Sequence, residues 1–324
     1  MIQLLTPAGE RREDDRFPLG VTPDELRGIY REMVATRRVD AEATALQRQG
    51  ELGLWAPSLG QEAAQVASVR AFAAGDMLFP SYREHGVALA RGVQPAELLA
   101  VFRGASHGGW NPFARRLNTY TIVLAAQLLH AVGYAMGVQR DGAEEVVGVY
   151  FGDGSTSQGD ASEAMNWAGV VDAPVVFCCQ NNQYAISVPV ARQSPVPLYR
   201  RADGFGFPGI RVDGNDVLAV LAVTRWAVER ARAGEGPTLI ESFTYRMGPH
   251  TTSDDPRRYR DAEEVERWRT LDPIERLQRY LDAERLADES FYAQAEADAT
   301  ELAAAVREAC LSLEPSGSFP VFAR

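Results

Sequence analysis

Apolar positions along this chain change their period near residue 124. Before that point they recur at three- and four-residue intervals, as on one face of a helix. The stretch TPDELRGIYREMVATRRVDAEATALQRQG predicts a long helix that Thr22 caps, Pro23 opens and Gly50 ends. GQEAAQVASVRAFAAGD reads as a second helix stopped at Gly75, FPSYREHG as a turn-rich connection and PAELLAVFRG as a further helix. Residues 104–118 carry Gly and Asn and read as loop. The opening stretch, residues 1–21, is polar and Pro-punctuated, which predicts a surface arm.

From 124 onward, helical and continuous apolar segments alternate. LAAQLLHAVGYAMGVQR is a helix whose Gly133 and Gly137 permit close packing. EEVVGVYF, APVVFCCQ, GIRVDG and GPTLIESF read as strands buried on both faces, with helical SQGDASEAMNWAGV and DVLAVLAVTRWAVERARAG between them. That alternation predicts an α/β fold, a doubly wound parallel sheet with helical additions. Residues 22–324 then form one domain, with C-terminal helices from about 261.

Composition narrows the chemistry. The net charge of −11 argues against a general nucleic-acid binder. All 33 basic residues are arginine. With no lysine, Schiff-base catalysis and a P-loop are excluded, and any phosphate clamp must use Arg, His, backbone N–H groups or a metal. Cys178, Cys179 and Cys310 form no metal or disulfide pattern and read as small buried hydrophobes. The N-terminus has no basic start and no long apolar run, and no apolar segment is long enough to span a bilayer. The expectation is a cytoplasmic protein without membrane contact.

Candidate chemistry sits in YFGDGSTSQGD, residues 150–160, and in NNQYAIS, which begins at Asn181. Each follows a predicted strand, and in such a sheet ligands bind outside the strands' carboxyl ends. Glycines let backbone approach a phosphate, and a helix start, here capped by Ser157 with Asp160 three residues on, attracts one. An aspartate beside that phosphate needs a hard cation between them. Mg²⁺ fits, taking Asp153, the Asn182 amide oxygen and a carbonyl just beyond. Taken singly, GDG is also a common turn and NN a common loop.

The whole stretch GDGSTSQGDASEAMNWAGVVDAPVVFCCQNN resembles the thiamine diphosphate motif. More closely, the chain is similar to alpha subunits of the two-chain 2-oxo acid dehydrogenases, the decarboxylating component of multienzyme complexes. QRQGELGLWAPSLGQEAAQVAS, FPSYREHG, QLLHAVGYAMG, QNNQYAIS, IRVDGNDVLAV, GEGPTLIE and YRMGPHTTSDDPRRYR follow that family in order, from about residue 22 to about 282. The likeness is greatest to bacterial branched-chain 2-oxo acid enzymes. Pyruvate and acetoin dehydrogenases, and a transketolase-like or acyloin-forming carboligase, are the alternatives.

The resemblance implies that Asp153, Asn182 and the backbone carbonyl of Tyr184 ligate Mg²⁺. It places Gly152, Gly154, Ser155, Tyr82 and Arg83 at the diphosphate, Gln180 and Ile186 near the cofactor, and Leu124 near its aminopyrimidine ring. By composition alone Leu124 and Ile186 would be core residues. His250 is the expected catalytic residue, on a loop that orders around the cofactor; its titration near neutral pH suits phosphate contact and proton transfer. His85 either lines the channel or is structural, and Trp55 or Phe79 shapes the substrate pocket.

The resemblance further implies that the activating glutamate comes from a beta subunit, in an α2β2 heterotetramer. The acyl group of a small 2-oxo acid then passes to a lipoyl-bearing acyltransferase. The chain departs from the family in SVPVARQSPVPLYRRADGFGFPG, which carries extra prolines where a lipoyl domain docks, in LNTYTIV, where relatives build a potassium site, and in a shorter C-terminus ending SGSFPVFAR.

Overall fold

The computed structural model describes residues 1–314; SGSFPVFAR, on which the expected C-terminal shortfall rests, lies outside the described residues. The chain opens its helical half with α1 (Pro23–Arg48), whose first turn Thr22 caps by accepting from the Glu25 N–H at 3.2 Å. α2 (Glu62–Val69) stops well before Gly75. The turn that follows is held by Asp76, whose carboxylate accepts from the Ala73 and Val146 N–H groups. Then come β1 (Met77–Phe79), α3 (His85–Ala90), α4 (Pro95–Arg103) and a single-turn α5 (Pro112–Arg115) inside the expected loop.

The α/β half runs α6 (Ala126–Asp141), β2 (Val147–Gly152), α7 (Gly159–Val170), β3 (Val175–Asn181) and a small antiparallel hairpin of β4 (Tyr184–Ala185) with β5 (Val188–Pro189). β6 (Gly209–Asp213), α8 (Val217–Arg232) and β7 (Thr238–Phe243) complete it. α9 (Ala262–Arg269), α10 (Pro273–Ala283) and α11 (Glu289–Ser312) follow, with α11 packed along α1. Among the described residues no helix is long and apolar enough to cross a membrane.

Five strands pair in parallel in the order β1-β2-β3-β7-β6. Alternate side chains feed two cores, because successive residues on a strand point to opposite faces. Tyr150, Val176, Cys178 and Ile240 pack with α1, α2, α8 and α11, whereas Phe151, Phe177, Cys179 and Leu239 pack with α6 and α7. The two adjacent cysteines are therefore buried on different faces, as expected of a sheet covered on both sides. The fold is α/β and doubly wound. After β3 the chain crosses to the far edge, β6, and returns through β7, so the switch in direction falls between β3 and β7.

The first residues are not a surface arm. Ile2 bridges Val212 in parallel, its N–H donating to the Arg211 carbonyl (2.8 Å) while the Asp213 N–H donates to its own carbonyl (2.9 Å). Leu4 and Leu5 are buried. The apolar MIQLL start was outweighed in the sequence by the polar residues after it. Asp216 fixes this segment. Its Oδ2 accepts from the Leu4 and Leu5 N–H groups at 2.6 Å each, and its Oδ1 caps α8 through Leu218 and Ala219 at 3.0 Å each. The buried Arg276 of α10 reaches Asp213 (2.9 Å), Asp216 (3.7 Å) and the Leu5 carbonyl. Asp216→Ala would strip four amides and weaken the screening of a buried guanidinium, a loss of about 3–5 kcal/mol. The expected result is a lower denaturant midpoint with an unchanged slope, larger than the loss for Asp216→Asn.

Candidate functional site

The carboxyl ends of β1, β2, β3 and β7 open into one cavity of 680 Å³. Every expected site residue borders it: Tyr82, Arg83, Leu124, Gly152, Asp153, Gly154, Ser155, Gln180, Asn182, Tyr184, Ile186 and His250. Parallel register explains the meeting of the two motifs. Gly152 stands opposite Gln180, so β2 and β3 release the chain side by side.

The two glycines differ in what they do. A Cβ at Gly152 would meet nothing within 4 Å, so its bare Cα leaves room in the cavity. A Cβ on Gly154 would stand 2.8 Å from Ala185 Cβ, so the missing side chain here makes room for the β4–β5 hairpin, while the backbone still borders the cavity. Nor does Ser157 cap the next helix. A tight 3-10 turn occupies 153–157, and α7 starts at Gly159 behind an N-cap Gln158 that makes no side-chain cap bond.

Asp153 is buried beneath this turn, and burial pushes its carboxyl up to about 6 against the lowering effect of a 2.6 Å hydrogen bond from Gln193 Nε2. Its Oδ1 lies 3.2 Å from the outer end of the Asn182 amide, which is also 3.2 Å from the Tyr184 carbonyl oxygen. Two orientations compete there. With Nδ2 donating to Gln61 Oε1 (2.9 Å), Asn182 turns Oδ1 inward, where the Tyr184 N–H approaches it at 3.4 Å. Three oxygens then face one another with no proton between them. Turned over, the amide nitrogen would donate to both oxygens but set its own oxygen against Gln61 Oε1. A cation in the centre favours the inward oxygen, and its absence favours the reverse. Among the described residues no three His, Cys, Asp or Glu side chains gather to hold a metal. A cation here must use amide and carbonyl oxygens beside the single carboxylate.

The hairpin carrying Tyr184 is under strain. Gln183 and Ile186 hold positive φ of 73° and 55°, costly for a side chain and most of all for a β-branched one. Arg246, which sequence reasoning missed, clamps it by donating from Nη1 to the Tyr184 carbonyl (2.7 Å) and from Nη2 to the Ile186 carbonyl (2.8 Å). Its position four residues before His250, inside YRMGPH, was the available signal. Arg246 is fully buried, and burial followed by the nearby Arg83 charge lowers its pKa.

Arg83, also buried, donates from Nη1 to the Pro57 carbonyl (2.5 Å) and from Nη2 to the His250 carbonyl (2.8 Å), and it reaches His250 Nδ1 at 3.2 Å. A guanidinium cannot accept, so Nδ1 accepts and Nε2 carries the proton, 3.4 Å from the Tyr82 hydroxyl. His250 does not titrate near neutrality in this arrangement. Burial first, then Arg83 and Arg246, lower it to about 3, so the ring is neutral. Among the described residues neither guanidinium has a carboxylate within ion-pair distance, and two buried unpaired cations on one cavity make it a site for an anion.

Remaining expectations resolve by exposure. Leu124 (41%) and Ile186 (52%) are exposed at the cavity rather than core. Gln180 is buried, donating to Glu84 Oε1 (2.6 Å) and accepting from Gln65 Nε2 (3.1 Å). His85 is structural: Nε2 donates to the Ala56 carbonyl and Nδ1 accepts from the Tyr120 hydroxyl, both at 2.9 Å. Neither Trp55 nor Phe79 reaches the cavity; Leu54, Phe102 and Ile122 form its apolar wall instead. Arg192 and Gln193, from the proline-rich stretch, also border it.

A family model described as "Dehydrogenase E1 component" matches residues 30–316. The "3-methyl-2-oxobutanoate dehydrogenase subunit alpha" of Mycobacterium tuberculosis is 48% identical over 309 residues, covering 95% of this chain and 84% of its own length. The "Pyruvate dehydrogenase E1 component subunit alpha" of Staphylococcus epidermidis is 40% identical over 314 residues, with the same shares covered. Its Staphylococcus aureus counterpart is 41% identical over 293 residues, 89% of this chain and 78% of the relative. The match spans the arginine clamp and the oxygen cluster alike, and the chain belongs to the dehydrogenase E1 component family.

Proposed function

We propose that this chain is the alpha subunit of a thiamine diphosphate-dependent 2-oxo acid dehydrogenase, with a branched-chain 2-oxo acid as substrate. One observation carries the reading: Asp153, Asn182 and the Tyr184 carbonyl converge at a cavity that two buried arginines without carboxylate partners also border, Arg246 on the Tyr184 carbonyl itself and Arg83 beside His250. Oxygens sharing an edge around Mg²⁺ stand about 3 Å apart, close to the spacing of this cluster. Mg²⁺ would sit on the oxygens and the diphosphate between them and Arg83, with Gly152, Gly154 and Ser155 along its path.

When bound, thiamine diphosphate would supply the nucleophilic carbon and the electron sink for decarboxylation. This chain orients and neutralises. Arg83 offers a buried charge to diphosphate oxygens. Arg246 keeps the Tyr184 carbonyl aimed at the cation while its second lone pair stays available. Neutral His250 presents an Nε2 proton to an anionic oxygen, and the negative charge of a bound diphosphate would raise its pKa from its low value. Gln180, held by Glu84, lines the same wall, and Leu124 and Ile186 border the ring end of the cofactor. Leu54, Phe102 and Ile122 would take a branched acyl chain.

Support for a beta subunit lies on an open face. Ile122 (64%) and Val123 (71%) are exposed beside Leu124, and a Cβ at Gly133 or Gly137 would meet nothing within 4 Å. The close packing expected of these glycines is not made within this chain, which leaves it to a partner. That partner would supply the activating glutamate in an α2β2 assembly, with transfer to a lipoyl-bearing acyltransferase and a cytoplasmic location.

Three outcomes are expected. Asp153→Ala should weaken thiamine diphosphate and Mg²⁺ binding by about a hundredfold or more by calorimetry, since even outer-shell partners of a metal are worth ten- to hundredfold. Unchanged affinity would end the metal-site reading. Gly133→Leu should leave the circular dichroism of the alpha chain intact and abolish co-purification of the beta subunit. With that subunit and cofactor present, dye-coupled oxidation should favour 3-methyl-2-oxobutanoate over pyruvate. Oxidation of neither acid, with cofactor bound, would move the carboligase reading to first place.

A further inference from the structure

The segment 54–59 touches both halves of the anion clamp. The Pro57 carbonyl accepts from Arg83 Nη1, and the Ala56 carbonyl accepts from His85 two residues further on. On its other side it pairs with the loop that bears His250. The Thr252 N–H donates to the Trp55 carbonyl (2.9 Å), the Trp55 N–H donates to Thr252 Oγ1 (3.1 Å), and the Met247 N–H donates to the Leu59 carbonyl (3.1 Å). Whatever fixes this segment therefore fixes where Arg83 and His250 stand.

Asp40 does so from beneath. It lies buried on α1, away from the cavity, and one oxygen, Oδ1, accepts from both Trp55 Nε1 (2.8 Å) and the Ser58 N–H (3.1 Å). The two donors flank Ala56 and Pro57, so a single atom pins both ends of the stretch whose carbonyls meet His85 and Arg83. Trp55 is itself fully buried and stacked on His85 at 4.1 Å and 17°. Its ring cannot turn away, and its backbone carries that rigidity to Thr252. Burial at this position raises the Asp40 pKa to about 6, a penalty that a position serving only surface solvation would not incur.

We infer that Asp40 is a positioning residue for Arg83 and His250, acting through Trp55 and Ser58 and through the Trp55–Thr252 backbone pairing. This rests on the reading of those two residues as diphosphate contacts. The loop after β7 is then tied to α1 through these bonds, so Asp40 and a bound anion act together in holding Arg83 and His250 in place.

Trypsin tests the relay. Arg257 and Arg258, just beyond the His250 loop, are exposed, and with no lysine in the chain every cut falls after an arginine. The alpha–beta pair, stripped of cofactor, is digested as wild type, Asp40→Ala, Asp40→Asn, Thr252→Val and the Asp40→Ala/Thr252→Val double variant. Cuts at 257 and 258 are followed by mass spectrometry against cuts elsewhere. Asp40→Ala should speed those cuts by about tenfold, the scale of one lost buried hydrogen bond to a charged group. Asp40→Asn retains the Oδ1 acceptor and should restore the wild-type rate. Thr252→Val should also speed the cuts, and the double variant should add little, since both break one route.

Thiamine diphosphate affinity should fall in the same order while the melting temperature of Thr252→Val stays at the wild-type value. Wild-type cutting in Asp40→Ala, failure of Asp40→Asn to rescue, or full additivity in the double variant would overturn the inference. A separate His250→Ala arm tests the reading beneath it. If that variant binds thiamine diphosphate like wild type, the diphosphate role of His250 fails, while the cutting rates still decide the Asp40 relay.

Discussion

Parallel pairing of β2 with β3, Gly152 opposite Gln180, is the constraint on which the site depends. Because both strands run the same way and end level, the turn at Asp153 and the hairpin at Tyr184 emerge as neighbours. An antiparallel pair would have sent them to opposite ends of the sheet. The switch between β3 and β7 then opens the crevice, and the loop after β7 brings Arg246 and His250 across it.

Electrostatics inside that crevice are unbalanced in a directed way. Arg83 and Arg246 are buried without a carboxylate partner, and Asp153 is buried with an amide as its close donor. Each arrangement is unfavourable by itself, because a buried charge loses its hydration. A phosphate-bearing ligand and a cation would remove the imbalance together. The strain at Gln183 and Ile186 belongs to the same pattern: it is tolerated because Arg246 holds both carbonyls of the hairpin, and it sets the Tyr184 carbonyl where the cluster needs it.

Much of the surrounding protein serves to hold these loops still. Asp216 and Arg276 tie the first residues, α8 and α10 into one unit at the sheet's far edge. Asp40 plays the matching part near the cavity, binding the segment that both arginine and histidine loops lean on. In each case one buried carboxylate accepts from several backbone or indole N–H groups, which is how a single side chain fixes chain segments far apart in sequence.

The long helices, the four strands β2, β3, β6 and β7, and the sheet's burial on both faces were legible from periodicity, because burial repeats every 3.6 or two residues whatever the neighbours are, and Thr22 was legible as a cap; the short β1, α3 and the β4–β5 hairpin were not. That the motif residues would meet at one cavity was legible too, since each motif follows a strand of a parallel sheet. Tertiary structure decided the rest. That Gly154 admits Ala185, that His250 is neutral between two guanidiniums, and that Trp55 lies behind the cavity while Leu54 faces it depend on groups distant in the chain. So does the burial of Ile2 to Leu5, which needs β6 beside them. A sequence states what each side chain can do; which partner it meets, and how far water is excluded from the meeting, exists only once the chain has folded.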